Sequence, residues 1–328
     1  MLNRGRVLLV CDANPNMGTG HVMRQITLAT ALKSNGVTPL LFCNEIPDSL
    51  VHRAKSFEVE VQSRIHQQSE SSLSSEIFSL KPDAVVFDGY SFSFETVRAL
   101  FESGIPTIVL DDNGEFSDVE CHLILNQNLH AREAQYENNS SSPQLLLGLN
   151  WSLIRHEIVR ESNIHRSGNN GAVFVAMGGS DHLGLTALIV SELESRDLTT
   201  SIAAGFYSAS GMTPSEMATT MAESYALVIG CGTTVWEAML LGKPFVGVVT
   251  AENQVEVGAS LATAGICEIV DCRASIDVKA IGLAVSRLFE SPANSEFQSD
   301  RSLQHIDGLG SDRVAKAILD LIDKAVRT

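Results

Sequence analysis

Short apolar runs alternate with longer amphipathic stretches along the first half of the chain. The runs are rich in Val, Ile and Leu, which favours buried strands, whereas the stretches between them carry apolar residues at helical spacing. This alternation predicts a parallel sheet covered by helices. The predicted strands are Arg6 to Cys11, Thr38 to Cys43, Ala84 to Asp88, Pro106 to Leu110 and His122 to Leu125.

Two helices are predicted between these strands. Apolar residues recur at helical spacing from Val22 to Leu32 and stop before Asn35-Gly36, a pair that commonly ends helices. A second helix is predicted over Phe94 to Glu102. The serine-rich segment 69–75 and the polar segment 138–142 are predicted to be solvated surface.

The alternation of strand-like and helix-like segments stops between residues 148 and 171 and then begins again. A terminal helix is predicted from Asp312 to Lys324. A chain of 328 residues is also long enough for two domains. We therefore predict an α/β protein of two Rossmann-like doubly wound domains facing across a cleft: residues 1–150, a linker over 151–170, and residues 171–328 with the terminal helix. The second set of predicted strands is Ala172 to Met177, Ser201 to Ala204, Ala226 to Ile229, Pro244 to Val249 and Ile266 to Val270.

Composition and charge exclude several classes of protein. With 44% apolar and 19% charged residues, the chain is neither disordered nor of low complexity. A net charge of −16 without any block of Lys or Arg argues against nucleic-acid or anionic-membrane partners. No apolar stretch approaches the roughly 18 residues of a membrane span, so we expect a cytoplasmic protein. The six cysteines form no CxxC pair, which favours buried thiols over disulfides or zinc.

The first motif with possible chemistry is Gly18-Thr19-Gly20-His21, directly after the first predicted strand. Gly18 and Gly20 would let the backbone approach a ligand closely, and a helix start offers unpaired amides to negative charge. His21 is then placed to act as a general base. Its alternative role is that of a capping or surface histidine. Arg24, one turn on, either binds an anion or pairs with an acid.

Two further loops at strand ends carry weaker signals. In Gly178-Gly179-Ser180-Asp181, Gly179 and Ser180 either contact a ligand or belong to an ordinary turn in which Ser180 or Asp181 caps the next helix. Asn253 and Gln254 follow a later strand, at the end where open α/β sheets bind ligands. They could orient a sugar or a water, but on spacing alone capping is favoured.

The most informative motif is Gly230-Cys231-Gly232-Thr233-Thr234, which follows a predicted strand. Successive amides of Gly232, Thr233 and Thr234 would form an anion nest suited to a diphosphate. Glu237, one turn on, is placed to accept hydrogen bonds from a ribose diol. The alternative is that Thr233 caps the helix and Glu237 completes a capping interaction. That alternative leaves the glycines unexplained, so ligand binding is favoured.

Motifs spread through most of the chain occur in the order and approximate spacing of one known family. They are Asp12-Ala13, Gly18-Thr19-Gly20-His21-Val22-Met23-Arg24, Leu28-Ala29 with Ala31-Leu32, Asp88 with Tyr90, Asp111-Asp112, Asn126-Gln127-Asn128, Leu146-Leu147-Gly148 with Leu153 and Arg155, Gly178-Gly179-Ser180-Asp181, Gly230 with Gly232-Thr233-Thr234 and Trp236-Glu237, and Asn253-Gln254. Together they resemble the nucleotide-sugar hydrolases that release UDP from a 2,4-diacetamido-2,4,6-trideoxy hexose in pseudaminic acid biosynthesis.

The resemblance implies a glycosyltransferase-B architecture in which the C-terminal domain holds most of the nucleotide. It also implies metal-independent attack of water at the anomeric carbon, with inversion and release of UDP, and no cofactor. The expected partners are thus a UDP-sugar and water. Carried onto this chain, His21 becomes the leading candidate for the catalytic base, with Tyr90 and Asn253 near the sugar. Gly232, Thr233 and Glu237 become candidate nucleotide contacts.

Two departures from the family pattern leave the sugar open. Asp88-Gly89-Tyr90 stands where the family usually carries Asp-His-Tyr, and Gly184 stands where it commonly carries Asn. One alternative function is a glycosyltransferase of the same architecture that uses a UDP-sugar donor. Another is an altered homologue that binds the nucleotide sugar without turnover. A dinucleotide oxidoreductase fits less well because the first loop is GxGH rather than GxGxxG.

Overall fold

The structure, a computed structural model, describes residues 5–13, 19–64, 70–89, 92–164, 170–178, 181, 183–203 and 212–327. Four predicted site residues lie outside these ranges: Gly18, Tyr90, Gly179 and Ser180. In chain order the strands are β1 (Arg6–Cys11), β2 (Thr38–Cys43), β3 (Glu60–Ser63), β4 (Ala84–Asp88), β5 (Thr107–Leu110), β6 (Leu123–Asn126), β7 (Gln144–Leu147), β8 (Val173–Ala176), β9 (Thr200–Ile202), β10 (Ala226–Gly230), β11 (Phe245–Val249) and β12 (Glu268–Asp271). The helices are α1 (Gly20–Ser34), α2 (Asp48–Ser56), α3 (Glu70–Leu80), α4 (Phe94–Glu102), α5 (His156–Ile164), α6 (Leu185–Glu194), α7 (Pro214–Glu223), α8 (Thr234–Leu240), α9 (Val255–Thr263), α10 (Val278–Glu290), α11 (Pro292–His305) and α12 (Gly310–Ala325).

The chain divides into two compact units. Unit 1 comprises Met1–Leu153 together with Leu309–Thr328, and unit 2 comprises Ile154–Gly308. The prediction that the terminal helix belongs to the C-terminal domain is therefore wrong, since α12 lies in unit 1. The predicted linker over 151–170 is also corrected, because α5 occupies part of it and belongs to unit 2. The predicted cleft between the domains stays a prediction.

Unit 1 is built on a parallel sheet in the order β3-β2-β1-β4-β5-β6-β7. Its central strands are buried on both faces, as expected for a parallel sheet with helices on each side. The strand order reverses between β1 and β4, which is the topological switch point where open α/β sheets bind ligands. Residues Cys11 and Asp88 pair at the carboxyl ends of these two strands.

Helix α12 completes unit 1 from the far end of the sequence. It packs against α1 and buries an apolar stripe at helical spacing that includes Val314, Ile318 and Ile322. At its first residue, Gly310, the backbone lies so close to Ser152 that a Cβ atom would come within 2.3 Å of the Ser152 oxygen. Glycine is thus required there by the close approach of two backbone segments.

Unit 2 contains a five-stranded parallel sheet in the order β12-β11-β10-β8-β9. Its order reverses between β8 and β10, so the loops after these strands meet at a second switch point. The apolar core lies between this sheet and helices that include α6 and α10. Within the ranges that the structure describes, no helix combines the length and apolar character required to cross a membrane.

The predicted strands and helices are found within one or two residues at most ends, whereas strands β3 and β7 were not predicted. The strands of unit 1, its helix α4 and the predicted α1 all occur. The serine-rich segment 69–75 is instead largely helical within α3, where Leu73 and Ile77 are buried. In segment 138–142, Asn139 is buried and donates to the carbonyls of Ser117 and Val119.

Candidate active site

In unit 1 the switch point brings His21 against a buried aspartate. His21 is the second residue of α1, and Asp88 is the last residue of β4. His21 Nδ1 lies 2.7 Å from Asp88 Oδ1. Because an ionised carboxylate can only accept, Nδ1 carries the hydrogen, and the lone pair of the neutral ring lies on Nε2. An imidazole held in this way can take a proton at Nε2 while Asp88 stabilises the positive charge that results.

The Asp88 carboxylate is buried and surrounded by donors. It accepts from Arg24 Nε at 2.7 Å, Arg24 Nη2 at 2.5 Å and Gln25 Nε2 at 2.8 Å, besides the His21 ring. Burial alone would raise the pKa of Asp88, but the charges and hydrogen bonds of Arg24 and His21 outweigh it and hold the pKa well below its usual range. Asp88 is therefore ionised at neutral pH.

Arg24 forms ion pairs with two carboxylates. Besides Asp88, it donates to Asp112 from Nη1 at 2.8 Å and from Nη2 at 2.9 Å. Burial would lower the pKa of Arg24, but Asp112 and Asp88 raise it well above its usual value. Of the two roles that the sequence left open for Arg24, pairing with an acid is the one found. Four of its hydrogen bonds go to carboxylates, and its contact with a substrate stays a prediction.

Arg24 Nη2 also lies 3.2 Å from His21 Nδ1. Both nitrogens direct hydrogens at Asp88, so this is a contact between two donors that share one acceptor. Asp88 Oδ1 thus accepts from both His21 and Arg24, and Arg24 also holds the other carboxylate oxygen through Nε.

A small open pocket lies beside this cluster in unit 1. One wall is the loop after β5, where Asp111 accepts hydrogen bonds from the backbone amides of residues 113–116 and from the Tyr136 hydroxyl. Gly89 lines another part of the pocket with φ +116°, a backbone conformation that a residue with a Cβ atom rarely adopts. The residues lining the pocket are His21, Arg24, Gly89, Leu110, Asp111, Asp112, Asn113, Glu115 and Phe116.

In unit 2 the third glycine motif joins the buried strand β10 to helix α8. A Cβ atom built on Gly232 would meet no atom within 4 Å, and its φ is not positive. Neither backbone conformation nor packing within the described residues therefore requires glycine there, whereas close approach of a ligand would. Thr233 precedes α8 without a side-chain hydrogen bond to the helix start. The alternative in which Thr233 caps the helix through its hydroxyl is thus not found.

Glu237 lies in the first turn of α8 and is paired with Arg155. Arg155 Nε lies 2.6 Å from Glu237 Oε1, and Arg155 Nη2 lies 2.5 Å from Oε2. Both side chains are almost completely buried. The capping interaction considered for Glu237 is absent among the contacts of the described residues, and a bidentate ion pair occupies its place.

Two of the remaining residues singled out in unit 2 form local hydrogen bonds, and a third is exposed. Asp181 caps α6 by accepting from the amides of Leu185 and Thr186, which is the capping role that the sequence offered for it. Gln254 accepts from the Thr250 backbone at 2.8 Å and so stabilises the turn after β11. Asn253 lies exposed in the same turn.

Cys231, inside the glycine motif, is buried, and burial raises the pKa of its thiol to about 12. A thiol with such a pKa is not nucleophilic at neutral pH, so its small size explains its place better than reactivity does. Among the described residues no group of three or more His, Cys, Asp or Glu has the arrangement of a metal site.

Among the residues of these clusters that were not predicted as site residues are Asp88, Asp112 and Arg155. Asp88 gave one usable signal, since it ends a buried strand and lies where ligands of parallel sheets bind. Its pairing with His21 depends on β1 lying beside β4, and the sequence pattern does not specify strand order.

Comparison with known proteins agrees with the predicted resemblance. No protein-family model matches the chain. Over 283 residues, 79% of the chain and 97% of the relative, it is 25% identical to the UDP-2,4-diacetamido-2,4,6-trideoxy-beta-L-altropyranose hydrolase of Campylobacter jejuni. The chain is similar to a UDP-sugar hydrolase. It is also 23% identical, over 200 residues and 58% of its length, to the uncharacterized protein MJ1062 of Methanocaldococcus jannaschii, of which the match spans only 40%.

Solved structures show the fold. MurG of Acinetobacter baumannii matches 96% of the chain and 99% of its own length with a TM-score of 0.64 and 15% identity. MnaA of S. aureus, solved with UDP, matches 97% of the chain and 98% of its own length with a TM-score of 0.64 and 15% identity. The α/β fold with two Rossmann-like units, similar to glycosyltransferase-B structures, is thereby confirmed.

Proposed function

We propose that this chain is an enzyme that hydrolyses a UDP-sugar, releasing UDP and the free sugar. The substrate we propose is a UDP-2,4-diacetamido-2,4,6-trideoxyhexose or a related amino sugar, in the biosynthesis of a pseudaminic-type nonulosonic acid. The similarity to the Campylobacter jejuni hydrolase over 79% of the chain supports this choice. No cofactor or metal ion is part of the proposal.

The observation that carries the proposal is the His21–Asp88 pair beside the pocket of unit 1. A histidine whose Nδ1 hydrogen is held by an ionised carboxylate presents Nε2 as the basic nitrogen. General base catalysis by such a group typically contributes about 10² to 10⁴ in rate. A water molecule is a weak nucleophile, so a hydrolase of this kind needs that contribution.

In the proposed mechanism, His21 Nε2 takes a proton from a water directed at the anomeric carbon of the sugar. The water oxygen forms the new bond to that carbon, and the bond from the carbon to the diphosphate oxygen breaks. The electron pair of the broken bond leaves with UDP. Because the water attacks the face opposite the diphosphate in a single displacement, the configuration at the anomeric carbon is inverted. Asp88 stabilises the imidazolium that forms.

The nucleotide half of the substrate is assigned to unit 2. The amides of Thr233 and Thr234 neutralise the charge that grows on the departing diphosphate. The Gly232 amide donates to the Gly230 carbonyl at 2.8 Å, and the missing side chain of Gly232 lets the diphosphate approach the backbone. Glu237 accepts from the ribose diol. Tyr90 and Asn253 contact the sugar in this proposal. The predicted binding set is completed by Gly18, Gly20, Arg24, Gly179, Ser180 and Gln254.

The proposal is tested by incubating the purified chain with a panel of nucleotide sugars, without any acceptor, and measuring nucleotide release with and without EDTA. We expect UDP and free sugar from a diacetamido-trideoxyhexose substrate, at the same rate in both conditions. Release that stops in EDTA would contradict the metal-independent mechanism. Absence of release from every UDP-sugar in the panel would contradict hydrolysis itself.

The same assay separates hydrolysis from the alternative glycosyltransferase activity. A transferase would release UDP only when an acceptor for the sugar is added. Binding of UDP-sugars without turnover under either condition would instead identify the altered homologue that the replacements at Gly89 and Gly184 suggest.

A further inference from the structure

We propose that Arg155 is a positioning residue that holds the Glu237 carboxylate in the orientation needed to bind the ribose of the nucleotide. This inference rests on the proposed function, because it takes a uridine nucleotide as the ligand of unit 2. It adds a residue to which the sequence motifs gave no role. Arg155 does not contact the ligand in this proposal and acts through Glu237.

The geometry of the pair supports a positioning role. Arg155 uses two different nitrogens on two different oxygens, with Nε 2.6 Å from Oε1 and Nη2 2.5 Å from Oε2. This fork fixes the plane of the carboxylate, which a single hydrogen bond would not do. Each carboxylate oxygen has about two acceptor sites, so one site on each oxygen is left for another donor. A ribose diol supplies two hydroxyl donors.

The surroundings of Arg155 hold its guanidinium in place. Its carbonyl accepts from the amides of Ile158 and Val159, which fixes its backbone at the start of α5. Its two terminal nitrogens also lie 3.7 Å from the Met217 sulfur on α7. Helix α5 packs against both α7 and α8, so three helices fix the position from which Arg155 reaches Glu237.

The charge of the pair is also suited to binding a diol. Burial would lower the pKa of Arg155, but the charge of Glu237 raises it, so Arg155 stays cationic. Glu237 lies one turn from Thr233, on the same side of the helix start as the glycine motif. An ion pair that only joined α5 to α8 would explain the burial and the charge, but it would not change how the protein distinguishes ribose from deoxyribose.

That distinction is the basis of the test. The affinities of UDP and 2′-deoxy-UDP are measured by calorimetry for the whole chain and for Arg155→Lys, which keeps the charge but loses the fork. We expect the unmodified chain to prefer UDP by on the order of tenfold, as for loss of one hydrogen bond to a charged group. In Arg155→Lys this preference should fall to near one while the affinity for 2′-deoxy-UDP changes less than about twofold.

Matched variants complete the experiment. Glu237→Gln should lose the same preference, and the double variant should lose no more than either single variant, because the two residues act as one unit. Arg155→Gln is a second test should the Lys variant not fold. Arg160→Lys, which changes an exposed arginine that pairs with Glu161 on the same helix, should keep the preference.

Two results would overturn the inference while leaving the proposed function intact. One is an unchanged preference for UDP in the Arg155 variants. The other is an equal loss of affinity for both ligands together with a lower melting temperature, which would identify a purely structural ion pair. Failure of the unmodified chain to bind UDP would instead overturn the proposed function, and the inference with it.

Discussion

The proposed chemistry depends on one pair of residues, the His21 imidazole and the Asp88 carboxylate that orients it. The sequence predicts His21 at a helix start after the first strand but does not predict its partner. Glycines on either side of Thr19 mark the loop, and β1 and α1 are strongly patterned. Asp88 lies 67 residues away in sequence and meets His21 only because β4 is hydrogen-bonded to β1. In the same way, the role of Arg24 depends on its two acidic partners, and both of these lie at or just after the ends of other strands.

Replacing His21 with Ala should remove most turnover and leave UDP affinity nearly unchanged. The proposed base acts on the water and does not hold the nucleotide, so we expect kcat to fall by about 10² to 10⁴. Steady-state kinetics and calorimetry with UDP measure the two effects. His52→Ala, at an exposed position of α2, is the matched control. Equal loss of UDP affinity and turnover would show that His21 is structural.

The depressed pKa of Asp88 predicts a loss of stability in acid. The folded protein holds this pKa below the ordinary value of 3.8, so the unfolded chain binds the proton first as the pH falls. The free energy of unfolding should therefore decrease as the pH drops below about 4. Urea unfolding between pH 3 and 7 should give a shallower decrease for Asp88→Asn. Part of the decrease should remain in this variant because of Asp112, whose pKa Arg24 lowers more than burial raises it. An unchanged slope would show that Asp88 is not ionised in the folded state.

At the scale of secondary-structure elements, the pattern of apolar residues predicted the buried strands but did not predict strand β3 at the polar edge of the sheet. Apart from Arg6 at the start of β1 and Asp88 at the end of β4, these two strands are apolar because both of their faces are covered. Strand β3 at the sheet edge has the sequence EVQS, and no residue in it is fully buried. Helix α3 lies in a serine-rich segment, yet Leu73, Ile77 and Leu80 have helical spacing that could have revealed it.

The glycine motif between β10 and α8 yields a test at the same scale. In Gly232→Ala the new methyl group meets no atom within 4 Å, so the melting temperature should stay nearly constant. The methyl group would lie where the diphosphate is proposed to approach the backbone. We expect UDP to bind more weakly by on the order of tenfold. Calorimetry and thermal unfolding measure the two effects. Unchanged affinity would contradict a diphosphate site at Gly232.

For the whole molecule, the two Rossmann-like units follow from the two runs of alternating strands and helices, but the assignment of the terminal helix does not. Sequence proximity placed α12 with unit 2, whereas its apolar face packs in unit 1. An apolar stripe shows that a helix packs against something and does not show which surface. The close approach of Gly310 to Ser152 becomes visible only in three dimensions.

That close approach predicts a large effect from one methyl group. In Gly310→Ala the Cβ atom would lie 2.3 Å from the Ser152 carbonyl oxygen and 2.5 Å from its nitrogen, so the backbone must separate. Overpacking of this kind typically costs about 1 to 3 kcal/mol. Thermal unfolding should show a lower melting temperature, whereas Lys316→Ala, at an exposed position of the same helix, should have little effect. An unchanged melting temperature would contradict the packing of α12 in unit 1.

The most direct measurement is the fate of the water oxygen. The diacetamido-trideoxyhexose substrate is turned over in water enriched in ¹⁸O, without an acceptor, and both products are analysed by mass spectrometry. Attack at the anomeric carbon predicts that the label enters the free sugar and is absent from UDP, and that His21→Ala slows formation of the labelled sugar by about 10² to 10⁴. Label in the diphosphate of UDP, or labelled sugar formed equally fast by the His21 variant, would contradict the account.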